Sequence, residues 1–162
     1  MTTQQDRFQA LFKIELPIIQ GPMAGVQDHH LAVAVSNSGG LGSLPAAMLS
    51  LEALKTELIQ LNAKTDKPYN VNFFCHTPPE FSEEREAIWR ATLKPYYDEF
   101  GLDTNCILSG PGRLPFTQES ADVLEAFKPP IVSFHFGLPG SNLLARVRSW
   151  GSKIISSATT VE

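Results

Sequence analysis

Hydrophobic and polar positions along the chain follow two alternating rhythms. Short apolar runs end at Gly or Pro, and between them lie longer stretches in which apolar residues recur every three or four positions. Pro17-Ile18-Ile19-Gln20 stops at Gly21-Pro22 and predicts a buried strand opening into a loop. Asp28 then offers an N-cap for a helix over 29–38, with Leu31, Ala32 and Val35 on one face and Gly39-Gly40 as its stop. Leu41-Gly42-Ser43-Leu44 predicts a second strand, and Ser50 caps an amphipathic helix carrying Leu51, Leu54, Leu58 and Leu61.

The pattern repeats through the rest of the chain. Tyr69 to Phe74 predicts a strand buried on both faces, because polar and apolar residues alternate too poorly for an edge. A charged helix is expected from Phe81 to Phe100, with Ile88, Trp89 and Leu93 turned inward and Pro95 kinking or dividing it. A loop-rich stretch through Gly110-Pro111-Gly112 leads to a helix over 118–127, a strand over 131–136, a helix over 141–150 and a fifth strand over 153–158. Met1 to Ala10 read as a short polar start. Strands separated by helices demand crossover connections, so the class is α/β with a parallel sheet of about five strands. Neither a linker nor a residue-level repeat divides the chain.

Composition narrows the possible partners. Thirteen Lys and Arg stand against seventeen Asp and Glu, a formal charge of -4 that disfavours a phosphate backbone, so nucleic acid is not expected as a partner. No apolar run approaches the ~20 residues that cross a bilayer, and the first ten residues lack the apolar segment of a secretory leader. Two cysteines, Cys75 and Cys106, support neither a disulfide framework nor a Cys-based zinc site, which fits a reducing cytoplasm. His29, His30 and His76 lack the spacing of a metal centre, so no metal is assigned.

Three segments carry candidate chemistry. Gln20-Gly21-Pro22-Met23-Ala24-Gly25 follows the first strand, where α/β folds gather ligand loops. Its small residues would let the backbone approach a planar ligand, and Met23 could cover a ring; a tight turn explains it as well. The spacing is not that of a dinucleotide fingerprint. Asn72, in Asn70-Val71-Asn72-Phe73-Phe74, puts an amide on a buried strand, where it needs a partner: a ligand edge or a neighbouring loop. His135, in Ser133-Phe134-His135-Phe136-Gly137, places an imidazole at a strand end, where it could move a proton or serve as a hydrogen-bonded core residue. Cys75-His76 points to opposite faces and reads as structural, and Glu83-Glu84-Arg85-Glu86 as a solvated helix face.

Taken together with Ser36-Asn37-Ser38-Gly39-Gly40-Leu41-Gly42-Ser43 and the closing Ser156-Ser157-Ala158-Thr159-Thr160-Val161-Glu162, these segments resemble the nitronate monooxygenase (2-nitropropane dioxygenase) family in order and spacing. The resemblance implies a TIM-barrel type of (β/α) units, with residues 1–162 as the N-terminal part of a single flavin-binding (β/α)8 barrel domain. It also implies FMN, which serves the oxidation of alkyl nitronates by dioxygen to a carbonyl compound and nitrite. On that resemblance Pro22, Met23 and Ala24 line the flavin ring, Asn72 hydrogen-bonds it, and His135 is the catalytic base or orients the substrate. About five strands make an incomplete barrel, since a closed one takes ~250 residues. The family's phosphate-binding loops for FMN are absent from this chain, and the open edges could drive self-association. Two other readings stand beside this one: an enzyme resembling flavin-dependent enoyl-acyl-carrier-protein reductases, and a non-catalytic half-barrel that self-associates.

Overall fold

A computed structural model of the protein describes residues 3–103 and 113–161. Cys106 and the Gly110-Pro111-Gly112 loop fall outside the described residues. The chain forms two compact units: residues 1–76 with 113–162, and residues 77–112.

The larger unit opens with α1 (Gln4–Phe12), which the reading of a polar start misses. Thr3 and Asp6 form a reciprocal capping box, each side chain accepting from the other's backbone N–H at 3.1 and 2.8 Å, and two orphan donors of the first turn are satisfied. After it come α2 (His29–Asn37), β1 (Gly42–Pro45), α3 (Leu51–Lys64) and β2 (Tyr69–Phe74), then α5 (Gln118–Phe127), β3 (Ile131–His135), α6 (Ser141–Ser149) and β4 (Lys153–Ser156). Asp28, Ser50 and Thr117 cap their helices by accepting backbone N–H bonds.

Four parallel strands make one open sheet in the order β1-β2-β3-β4. The expected first strand, Pro17 to Gln20, does not develop a ladder. Ile19 makes a single parallel bridge to Leu41, supported by Gln20 N–H to Leu41 O and Leu41 N–H to Ile18 O, both 2.9 Å. Pro17 and Pro22 flank the segment and lack the N–H that further pairing would need. The architecture is thus an incomplete barrel of (β/α) units with four regular strands.

Period-two alternation divides the sheet into two faces. On one, Leu44, Val71, Phe73, Val132 and Phe134 pack beneath Ala32 of α2, Leu54, Leu58 and Leu61 of α3, Ala121 and Leu124 of α5 and Val147 of α6. Each Leu or Phe so buried contributes about 1.5–3 kcal/mol. Contact with α2 is closest at Gly42, where a Cβ would lie 1.9 Å from the Ala32 carbonyl oxygen, so only glycine fits. The opposite face begins with a small apolar cluster in which Phe12 and Ile14 cover Leu41 and Ile131, with Phe8 and Ile155 at its rim. Helix α1 therefore closes the amino-terminal end of this face, and the strand ends beyond it are left for the site.

In the smaller unit, α4 (Glu83–Glu99) starts at the Ser82 cap, has Glu83, Glu84 and Glu86 in its first turn and runs through Pro95 undivided. Arg90 pairs with Glu86 and Lys94 with Asp98, both four residues apart. The inward turn expected of its apolar residues is not found. Ile88 is 60% and Trp89 58% exposed, Leu93 is half-buried, and no residue of α4 is buried. Among the described residues of this unit, no other helix or strand offers an apolar face against which to bury them.

Candidate functional site

The face away from the helices changes character between its two ends. Past the plug formed by α1 it is polar: Ser43 on β1, Asn70 and Asn72 on β2 and Ser133 on β3 are all at most 8% exposed. Strand register creates this cluster by setting Ser43 opposite Asn70 and Asn72 opposite Ser133. Asn70 Nδ2 donates to Ser43 Oγ at 3.1 Å and to Ser133 Oγ at 2.9 Å, and Asn72 Nδ2 donates to the same Ser133 Oγ at 2.9 Å. The Asn70 Oδ1 atom has no hydrogen-bond partner. Turning the amide over would satisfy the oxygen from the two hydroxyls and strand the nitrogen, so one end of Asn70 is unmet in either orientation.

Loop 20–28 is clasped to the free edge of β1. Gln20 Oε1 accepts the Ser43 N–H at 2.9 Å, and Gln27 Nε2 donates to the Ser43 carbonyl at 2.9 Å. Two side-chain amides thus replace the neighbouring strand that β1 lacks on this side. Between them the chain turns at Gly25, whose φ of +83° favours glycine.

Where the strands end, a cleft of about 370 Å³ opens, lined by Ile19, Pro22, Asn72, Phe74, His135 and Ile155 together with Ser133, Ser156 and Ser157. Pro22, Asn72 and His135, singled out from three distant stretches of sequence, thus meet in one cleft. Met23 and Ala24 do not line it: Met23 is 49% exposed and Ala24 half-buried in the adjoining turn. The residues that sequence reasoning left without a role are Asn70, Ser133 and Ser157. The first two stand two positions from Asn72 and His135 and so share their faces, a signal that the strand period already carries.

His135 is exposed, and its Nδ1 lies 2.7 Å from Ser157 Oγ. Its ring stands 6.1 Å from that of Phe74 and 4.0 Å from that of Phe136. Just past β2, Cys75 behaves as a packing residue, its thiol pushed up to about 11 by burial. Elsewhere, ligand atoms of Asp28, His29 and His30 lie within 4.8 Å of one another. Both ring nitrogens of His29 are engaged, however: Nδ1 with Glu57 and Nε2 with Lys64, each at 2.9 Å, which ties α2 to α3. Asp28 caps α2, and its hydrogen bonds to His30 hold its carboxyl below the usual range. No helix among the described residues is long and apolar enough to cross a membrane.

A parallel α/β sheet with a cleft at its carboxyl ends is the general layout of a small-molecule site. The particular family is given by sequence: the model of the nitronate monooxygenase family matches residues 5–162, and the chain belongs to that family. It is 39% identical over 157 residues to a nitronate monooxygenase of Paraburkholderia phytofirmans, covering 94% of this chain and 42% of that protein. Against one from Pseudomonas aeruginosa it is 39% identical over 165 residues, covering 97% and 45%. The crystal structure of a nitroalkane oxidase from Streptomyces ansochromogenes superposes with a TM-score of 0.77 at 31% identity, covering 93% of this chain and 43% of that one. The chain therefore spans less than half the length of the relatives it matches.

Proposed function

We propose that this chain is the N-terminal part of a single (β/α)8 barrel domain that binds FMN in the cleft and serves the oxidation of alkyl nitronates by dioxygen to a carbonyl compound and nitrite. The observation that carries the reading is the meeting of Pro22, Asn72 and His135 at the carboxyl ends of the strands. The residues present suit the ring of a flavin. The cleft lies within the ~300–1,000 Å³ of small-molecule sites, its walls at Ile19, Phe74 and Ile155 are apolar, and Asn70, whose amide has one unmet end, is among its lining residues. Its lining includes neither Lys nor Arg, so a phosphate would find no cationic partner among these residues. FMN supplies the electron transfer when bound.

Each residue of the chain then has a part. Pro22 covers the ring from the loop clasped to β1, with Met23 and Ala24 beside it, and Asn72 hydrogen-bonds the ring edge from β2. His135 takes the proton of a neutral nitroalkane, or orients the nitronate, from the end of β3. The family match and the 39% relatives favour this over an enoyl reductase. We place the protein in the cytoplasm, without a nucleic-acid or membrane partner, in keeping with its net charge of -4. The unpaired side of β4, and Ile18, 55% exposed beside β1, offer edges for self-association.

A flavin titration of the 162-residue protein tests the reading. Riboflavin and FMN should bind with similar affinity, because the chain holds the ring but not the phosphate, and Asn72→Leu should weaken both. Binding of neither flavin, or binding of both unaffected by Asn72→Leu, would overturn the assignment of this cleft.

A further inference from the structure

His135 is held from two sides by neighbouring strands. Its carbonyl accepts the Cys75 N–H at 2.8 Å, which fixes its backbone to the end of β2. The pairing of Phe134 with Ser156 brings the next residue, Ser157, opposite His135, and Ser157 N–H reaches back to the Phe134 carbonyl at 3.4 Å. The ladder thereby delivers the Ser157 hydroxyl to the imidazole across 22 residues of sequence, at 2.7 Å from Nδ1. Among the described residues, Nε2 has no hydrogen-bond partner.

The backbone just beyond His135 is also constrained. Phe136 has φ +64° and Gly137 φ +104°, so the chain leaves β3 through two successive left-handed residues, of which only the second is glycine. A phenylalanine in that region is strained, and such strain persists where surrounding contacts determine the position. Ser156 Oγ donates to the Gly137 carbonyl at 3.4 Å, so the end of β4 holds this turn as well as the imidazole.

We infer that Ser157 is a positioning residue for His135: its hydroxyl oxygen accepts the Nδ1–H, holding the neutral ring in the tautomer whose basic nitrogen is Nε2. A neutral imidazole carries one proton, and the nitrogen that donates it fixes the other as acceptor. This rests on the role of His135 in the proposed function, because a base at Nε2 requires the proton to sit on Nδ1. The hydrogen bond also removes ring flipping as a degree of freedom. Only one nitrogen is then offered to the cleft chemistry, and that is the part a second residue plays for a general base.

Nitrogen-15 NMR of the histidine side chains, recorded on the whole 162-residue protein at about pH 8, where imidazoles are neutral, reads the tautomer directly. The His135 signal is assigned by its loss in His135→Asn. The wild-type protein should show His135 mainly protonated at Nδ1. Ser157→Ala should shift the ring to mainly Nε2–H or to a mixture, and Ser157→Thr, which keeps the hydroxyl, should restore the wild-type pattern. Ser157 is exposed, so the alanine variant should fold, and the His29 signal, tied between Glu57 and Lys64, should stay unchanged as the internal control. A wild-type ring protonated at Nε2, or a tautomer indifferent to Ser157→Ala, would overturn the inference. No flavin or turnover enters this measurement. A failed flavin titration with the expected tautomers would sink the functional reading alone, and bound flavin with an indifferent tautomer would sink this inference alone.

Discussion

The two faces of the sheet are built from the same strands and buried to nearly the same degree, yet their chemistry is opposite. Beneath the helices, Leu44, Val71, Phe73, Val132 and Phe134 are at most 3% exposed; across the strand plane, Ser43, Asn70, Asn72 and Ser133 are at most 8% exposed. Burial of the first set is favourable in proportion to its apolar area. For the second set, burial costs free energy wherever a polar atom lacks a partner, and Asn70 has such an atom in either orientation. Stability accounts for the first face. The second carries a cost to the fold, which the proposed function explains as a surface kept polar for a ligand.

The largest expected effect breaks the apolar face. Phe134→Ala removes a ring that is 1% exposed and should cost about 3–5 kcal/mol, read as a drop in the urea midpoint. A loss below about 1 kcal/mol would mean the helices collapse onto the gap and the face is not tightly packed.

A chemical probe sharpens the same contrast. Cys75 packs against the apolar cluster, and burial pushes its thiol up to about 11. Because the thiolate is the reactive form, the native thiol should alkylate at about pH 8 at least ~10-fold more slowly than in the urea-unfolded chain, a ratio discounted for its partial exposure. Peptide mapping distinguishes Cys75 from Cys106. Equal rates in both states would deny that this side of the sheet is dry at its carboxyl end.

On the polar face the effect is smaller and of different origin. Ser133→Ala deletes the hydroxyl that accepts from both Asn70 and Asn72, at 2.9 Å each, and should destabilise by about 1–3 kcal/mol by leaving buried amides unmet. Little volume is lost, so a cavity is not the cause. Adding Asn70→Leu to Ser133→Ala should recover part of that loss, since removing both partners of a buried polar pair is less harmful than removing one. A double variant less stable than Ser133→Ala would show that the polar network supports the fold itself.

How far these faces could be foreseen depends on how local their causes are. The strand over 69–74 and the helices after Asp28 and Ser50 follow from caps and periodicity, which are local. Pro17 to Gln20 has the apolar run of a strand but makes only one bridge, because Pro17 and Pro22 flank it without an N–H for further pairing. Ile88 and Trp89 have helical spacing but stand exposed, with no other helix or strand among the described residues of their unit to pack against, which spacing alone cannot reveal. Among the site residues, Pro22, Asn72 and His135 are legible because Pro22 follows the apolar run 17–20, Asn72 lies on β2 and His135 ends β3. Met23 follows Pro22 directly, yet the turn directs it away from the cleft lining. Ser157 was hidden because its partner is fixed by the register of β4 against β3, which no single segment encodes.

The smallest effect lies where α1 closes the amino-terminal end of the polar face. The polar start conceals a capping box, and the two backbone and side-chain bonds from Thr3 hold the Asp6 carboxyl below the ordinary aspartate value of about 3.9. A carboxyl depressed in the folded state binds its proton more tightly when unfolded. Its contribution is therefore fully present above the unfolded value and is lost as pH falls through the lower, folded one. Asp28, Glu119 and Glu125 are depressed as well, so the acid limb of the wild-type protein alone cannot isolate Asp6. The difference between wild type and Asp6→Asn can. The variant should be slightly less stable at neutral pH, and the gap should close between about pH 4 and the onset of acid unfolding. Asp6 is fully exposed, so the gap should be small, and it should shrink further in Thr3→Ala, which removes half of the box. A gap that stays constant across that range would mean that Asp6 supports the helix through its shape and not its charge. The closure of the polar face by Phe8 and Phe12 would then be independent of the cap.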